Sequence, residues 1–245
     1  MLRSVKSLYG YKILAKDGAI GKLYEFLFED ETWIIRYLVA DTGGWLPARQ
    51  VLISPVAFGT PEWESKSFPV ILTREQVENS PGIEKDQPVS RRHQIELFKY
   101  YGWPPYWPIG SYQVPSPPEW DEDRPEKAKE EGEKVNPHLR SSREVTGYAI
   151  EASNGDIGHV DDFITDDEEW ALRYIVIDTR NWLPGRKVLI APRWIQSIDW
   201  ETKKVIMALT RELIKNSPEY DPEKPVNREY EVRLYDYYGR PKYWE

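Results

Sequence analysis

The chain has no cysteine in its 245 residues. Disulfides, thiolate metal sites and thiol nucleophiles are therefore excluded together. Histidine is almost as scarce. His93, His138 and His159 are scattered, and no two have the helical spacing of metal ligands. No apolar run approaches the ~20 residues that cross a bilayer, and the opening MLRSVKSLYGYK lacks the apolar core of a signal peptide. These absences lead to the expectation of a cytoplasmic protein. Positive charge is in deficit too, with 33 Lys and Arg against 41 Asp and Glu and a net charge of −8. Binding phosphates needs a basic face, so no nucleic-acid partner is expected.

What is present is a soluble composition, 40% hydrophobic and 30% charged, long enough for two domains with separate cores. It is also present twice. RYLVADTGGWLPARQVLISP (Arg36 to Pro55) returns as RYIVIDTRNWLPGRKVLIAP (Arg173 to Pro192), with 13 of 20 positions identical. The same offset of 137 (147 − 10) pairs Gly10 with Gly147, Gly21 with Gly158 and Trp33 with Trp170. It continues through Thr73-Arg74-Glu75 and Thr210-Arg211-Glu212 to Tyr106-Trp107 and Tyr243-Trp244. A register held that far without insertion marks a duplicated domain, and two long copies exclude a solenoid. The expected boundaries are a first repeat over 1–108, a Pro- and charge-rich linker over 109–142, and a second repeat over 143–245.

Within a copy, turn signals separate short strands. Asp17-Gly18 and Asn154-Gly155 read as two-residue hairpin turns. Strands are expected at 19–28, 33–41, 49–54, 56–62 and 66–71, and again at 156–164, 170–178, 186–191, 194–199 and 203–208. Thr73 with Gln76 makes a capping box for a short helix. A second helix starts at Ser90 or Asn227 and closes at Gly102 or Gly239. It should turn Ile95, Phe98 and Tyr101, or Tyr230, Leu234 and Tyr237, inward. The class is mainly β with short helices, and closing five or six strands into a small barrel would remove exposed edges.

The pattern Asp/Glu-x-Trp-x-x-Arg-Tyr-x-Val-x-Asp-Thr-x-x-Trp-Leu-Pro-x-Arg-x-Val-Leu-Ile-x-Pro resembles the core of the PRC-barrel family. That domain occurs in the photosynthetic reaction centre H subunit and in a ribosome-maturation factor. The resemblance covers about 1–85 and 138–222. The tails Tyr100-Tyr101-Gly102 to Trp107 and Tyr237-Tyr238-Gly239 to Trp244 are similar to those of bacterial two-barrel proteins. It implies two tandem PRC-like barrels, each followed by one or two helices and an aromatic, Pro-containing tail. It implies no activity, since fold and function travel separately.

Two sets of residues are candidates for a role. Arg36, Asp41 and Arg49 recur as Arg173, Asp178 and Arg186, and form either a structural set or an anion site. In the structural reading the aspartates end a strand and accept turn N–H groups. Trp45 and Trp182 follow a turn, where they plug a barrel end or face a partner. With Trp103, Tyr106, Trp107, Tyr243 and Trp244 they form the candidate partner-binding set, because stiff aromatic segments offer large rings at low entropic cost. Each tail is expected to lie across the other copy, as an internal pseudo-dimer, with a homodimer as the alternative. The acidic run DDFITDDEEW (Asp161 to Trp170) lacks the glycine of a calcium loop and reads as a solvated hairpin tip. Gly43-Gly44 becomes Arg180-Asn181 in the second copy, so no phosphate-cradling loop repeats. No nucleophile stands beside a base, and no cofactor or metal is expected. The sequence therefore predicts a non-enzymatic adaptor that binds a protein partner. A small-ligand or ion-binding module between the barrels is the alternative.

Overall fold

A computed structural model describes residues 1–43, 46, 49–84, 89–106, 138–179 and 186–245. In chain order the first copy carries β1 (Leu2–Ser4), α1 (Val5–Leu8), β2 (Lys12–Ala15), β3 (Gly18–Glu29), β4 (Ile35–Asp41) and β5 (Arg49–Ile53). A 3-10 turn at Pro55–Ala57, β6 (Ser67–Pro69), α2 (Arg74–Glu78), β7 (Ile83–Glu84) and α3 (Arg91–Tyr101) complete it. The second carries β8 (Leu139–Ser141), α4 (Ser142–Val145), β9 (Ala149–Ala152), β10 (Gly155–Asp166), β11 (Leu172–Asp178) and β12 (Lys187–Ile190). It ends with a 3-10 turn at Pro192–Trp194, β13 (Ile195–Asp199), β14 (Lys204–Met207), α5 (Arg211–Lys215) and α6 (Arg228–Tyr238). The protein is mainly β, with two sheets and short helices. Among the described residues no helix is long and apolar enough to cross a membrane. Of the expected linker, 109–137 lies outside the described residues, and Leu139–Ser141 within it is strand.

The sheet orders are β12-β11-β10-β9-β14-β13 and β6-β2-β3-β4-β5-β7, with β1 pairing β10 and β8 pairing β3. Each order is an open path that ends at two edges. Contacts divide the chain into two compact units, Met1–Gly10 with Glu25–Tyr37 and Arg140–Glu245, and Tyr11–Tyr24 with Leu38–Leu139.

The first unit centres on β10, whose edge is shared. Its N-terminal half pairs with β9, from Gly155↔Ala152 to His159↔Ala149, and its far end with β1, from Ser4↔Ile164 to Leu2↔Asp166. Ser4 caps α1 by accepting from Ser7 N (3.1 Å) and donates its hydroxyl to Asp162 Oδ2 (2.5 Å). Lys6 N donates to Asp162 Oδ1 (3.0 Å). Burial pushes the Asp162 carboxyl above its ordinary value despite these donors. The construction recurs at offset 137. Ser141 caps α4 and donates to Glu25, and Ser142 Oγ accepts from Phe26 N at 3.0 Å. Leu2-Arg3-Ser4 and Leu139-Arg140-Ser141 are identical, so each copy's leading strand pairs with the long central strand of the other copy. Ser4→Ala removes a cap and a donor to a buried carboxyl together, and should cost about 2 kcal/mol in chemical denaturation. Ser7→Ala at an exposed position should shift it by under ~0.5 kcal/mol.

Within the same unit Ile34 bridges Ala171, its own equivalent. Ile35 N donates to Trp170 O and Leu172 N to Trp33 O, each at 2.8 Å. Trp33 and Trp170 take the left-handed conformation (φ 60° and 53°) that ends each hairpin turn. Their rings lie against Phe28 (5.2 Å between centroids) and Phe26 (5.8 Å).

In the second unit Asp17 does more than turn the chain. The two-residue loop is Lys16-Asp17, since Ala15 pairs with Gly18, and Asp17 Oδ1 accepts from Arg74 N (2.7 Å) at the start of α2. The capping box of Thr73 and Gln76 is present. The strand expected at 56–62 is instead the 3-10 turn followed by isolated bridges Phe58↔Val70 and Glu62↔Ser67. Pro61 stands where the second copy has Ile198, and a proline has no N–H to give to a ladder.

Ser90 and Asn227 cap α3 and α6, and Gly102 and Gly239 end them in left-handed geometry, as the sequence predicts. Phe98 and Leu234 turn inward as expected, and the positions that flank them differ by one. Gln94, Leu97 and Phe98 are buried in α3, and Glu231, Leu234, Tyr235 and Tyr238 in α6. A polar residue occupies a core position in each helix, and an apolar periodicity passes over it.

Candidate functional site

The first unit contains a cleft of about 350 Å³. Trp33 enters it from the turn after β3, and Leu172 and Arg173 from the start of β11. Pro192 and Arg193 come from the 3-10 turn, Tyr235 from α6 and Tyr243 from the tail. Each position has a local cause. Arg173 is the second residue of β11, close after the turn-ending Trp170, and its side chain reaches back to Asp166 (3.7 Å) and Glu169. Pro192 starts the 3-10 turn, which presents Arg193 outward while Trp194 is buried. Gly239 reverses the chain after α6 and brings Tyr243 and Trp244 back over that helix.

Tyr243 is the hub. Its ring is approached by the guanidinium groups of Arg173 (4.6 Å), Arg228 (5.7 Å) and Arg193 (5.9 Å), and it packs edge-on against Trp244 (4.9 Å). Cation–π contacts of this kind contribute ~0.5–2 kcal/mol each, rising with desolvation. Beneath the ring lies Glu231, 2% exposed. Its Oε1 accepts from the Tyr174 hydroxyl (2.7 Å) and the Tyr243 hydroxyl (2.9 Å), and its Oε2 pairs with Arg228 (3.0 Å). Burial and the Glu231 bond push the Tyr243 hydroxyl up to about 12, and the same causes raise Tyr174 further. Both phenols therefore stay protonated, as donors, across the physiological range.

The cations differ in how they are compensated. Arg173 faces Glu169 and Asp166, and Arg228 faces Glu231. Arg193 donates to Pro241 O (2.7 Å) and stacks on Tyr235 (5.0 Å), with no carboxylate at ion-pair distance among the described residues. Chemically the cleft offers guanidinium groups and ring faces, beside the carboxylate of Glu31, to an anion or an aromatic group.

The residues singled out in the sequence fall in several places. Arg36 pairs with Glu29 (2.6 Å) beside Thr32. Asp41 accepts from Gly43 N (2.9 Å) in the turn it ends. Arg49 donates to Glu78 O (2.7 Å) and Ser80 Oγ (3.3 Å), and Arg186 to Ser217 O (2.6 Å), so both tie a strand start to the turn after a short helix. Asp178 is 1% exposed at the end of β11, whereas Arg173 lines the cleft. Trp45, Trp182 and Trp107 lie outside the described residues. Trp103 stacks on Tyr101 (4.1 Å), and the Tyr106 hydroxyl donates to Gln94 (2.7 Å) on its own α3. Tyr243 and Trp244 likewise cover their own α6. The described part of each tail packs on the helix of its own copy, because each is only a turn away from a helix with a buried polar acceptor. The leading strands β1 and β8 make the exchange instead.

The carboxylates of the acidic run are engaged. Asp161 bridges Lys6 (2.8 Å) and Lys187 (2.6 Å), and Asp167 pairs with Arg3 (3.6 Å). Sequence reading missed Trp33, Arg193, Tyr235 and Glu231. The signal lay in the differences between copies, since offset 137 sets Arg193 against Val56, Tyr235 against Phe98 and Glu231 against Gln94. No family model matches the chain, and no curated protein matches it.

Proposed function

We propose that the protein is a non-enzymatic interaction module of the cytoplasm, built from two PRC-barrel-like repeats arranged as an internal pseudo-dimer. The arginine- and aromatic-lined cleft carries this reading. Tyr, Trp and Arg are the side chains that dominate the binding energy of protein interfaces, and Arg193 and Tyr243 offer them on a floor of Leu172 and Pro192. The barrel reading is supported by the bulges in β10, between Val160 and Asp162 and between Ile164 and Thr165, which bend a strand as barrel closure requires. The parallel pairs β9–β14 and β2–β6 repeat at the same offset.

A photo-crosslinking amino acid in place of Thr32, on the cleft rim, tests the reading in cells. A protein adduct of defined mass that is absent when the crosslinker replaces the exposed Glu64 is the expected result. Identical patterns at the two positions would refute it. The size of the cleft favours a second reading, because about 350 Å³ sits near the lower end of small-molecule sites, ~300–1,000 Å³. A thermal-shift ligand screen with Arg173→Ala as the affected variant and Arg36→Ala as the control separates the two.

A further inference from the structure

The duplication provides an internal comparison, and it shows where the two copies part chemically. Arg173 and Tyr243 have counterparts of the same type in Arg36 and Tyr106, so both copies carry these two residues. Arg193 has no such counterpart. Its equivalent is Val56, which stands 55% exposed in its own unit. An exposed valine at the same place in the fold shows that the position needs no arginine to fold. Glu31 lines the same cleft, but of the arginines around it only Arg193 has no carboxylate at ion-pair distance among the described residues. One of its nitrogens is committed to Pro241 O and its face to Tyr235, which fixes the planar group at the cleft mouth. A guanidinium oriented in this way presents its remaining N–H groups in the fork that matches a carboxylate.

Resting on the interaction-module reading, we infer that this cleft recognises an acidic segment of a partner protein, at one site per chain. A partner carboxylate pairs with Arg193, and an adjacent aromatic side chain of the partner lies against Trp33 and Tyr243. Charge complementarity selects this occupant: the chain as a whole is acidic, at net −8, and Arg193 has no carboxylate at ion-pair distance among the described residues, so a partner carboxylate can pair with it there. A segment that adds a ring to its carboxylate uses both chemistries of the cleft, whereas a bare anion uses one.

The full-length protein is titrated into a fluorescein-labelled peptide of sequence Gly-Glu-Asp-Trp-Glu-Gly, followed by anisotropy at low salt. Binding of one peptide per chain, weakened at least about tenfold by Arg193→Ala, is expected, as truncating a desolvated interface arginine costs. The peptide with Gln and Asn in place of Glu and Asp should weaken by a similar factor. Arg193→Ala leaves Trp194 and Tyr235 in place, and an unchanged melting temperature confirms that the fold is intact. No binding to the wild-type protein, equal binding to Arg193→Ala, or two peptides per chain would each overturn the inference. Full displacement by benzoate at the concentration of the peptide itself would also overturn it, by showing that no peptide is needed. Crosslinking from position 32 is independent of charge, so adducts there together with a failed titration would reject the acidic segment and leave the interaction module standing.

Discussion

Gly158→Ala should leave the chain without a stable fold, at a cost above ~4 kcal/mol, beyond the range of ordinary substitutions. A Cβ at this position would lie 2.0 Å from Asp178 O and 3.0 Å from Asp178 C, and the residue has a φ of +151°. The obstruction is backbone, so no rotamer relieves it. Either β10 or the end of β11 must move. Both belong to the central strands of the sheet, paired from His159↔Asp178 to Thr165↔Leu172. Gly21 is built the same way, with its Cβ position 2.2 Å from Asp41 O, and Gly21→Ala should behave alike. Gly239→Ala is the control. Its φ of +59° carries the left-handed penalty, but nothing lies within 4 Å of its Cβ, so the cost should stay near ~1 kcal/mol. Urea denaturation monitored by tryptophan fluorescence distinguishes the cases. A Gly158→Ala protein with a midpoint near the wild-type value would mean that the strands do not approach as closely as described.

These glycines show what a sequence displays well. Gly21 and Gly158 stood out because they recur at one offset, and the duplication also placed the long strands, the capping box at Thr73 and the left-handed ends at Gly102 and Gly239. All of these are local matters of backbone and pattern. Partner choice was less visible. Nothing in Leu2-Arg3-Ser4 indicates whether that strand pairs with its own copy or with the other, because three residues carry little registry information and the decision lies with distant acceptors such as Asp162. The same holds for the tails, whose described residues Tyr106 and Tyr243 bond buried acceptors on their own helices. On α6 the apolar pattern locates Leu234 but passes over Glu231, which is polar. Buried polar residues are where apolar periodicity fails, and here the failure coincides with the cleft. Arg193 was invisible as a single exposed arginine and became informative only beside Val56.

Glu231 provides the other large effect. Replacing it with Leu fits the volume but removes the acceptor of one buried and one part-buried hydroxyl and the counter-charge of Arg228. Left with no acceptor, Tyr174, 0% exposed, would bury a bare donor. Each donor left buried without a partner costs ~1–3 kcal/mol, and losing the counter-charge of Arg228, which is 54% exposed, adds up to ~1 kcal/mol. Because the three groups share one acceptor, these costs do not simply add, and a total of ~4 kcal/mol is expected for Glu231→Leu. Glu231→Gln should be far milder. The first copy already uses that solution, where Gln94 Oε1 accepts the Tyr106 hydroxyl at 2.7 Å. The amide keeps an acceptor for Tyr243 and loses the charge opposite Arg228, which is 54% exposed and so partly compensated by water. A cost near ~1 kcal/mol follows. The order Leu far worse than Gln distinguishes a hydrogen-bonded hub from a packing position, since at a packing position the apolar residue would be tolerated better. Equal stability of Glu231→Leu and wild type would show that the tail is held by its rings alone, and then Tyr243→Phe should also leave the melting temperature unchanged.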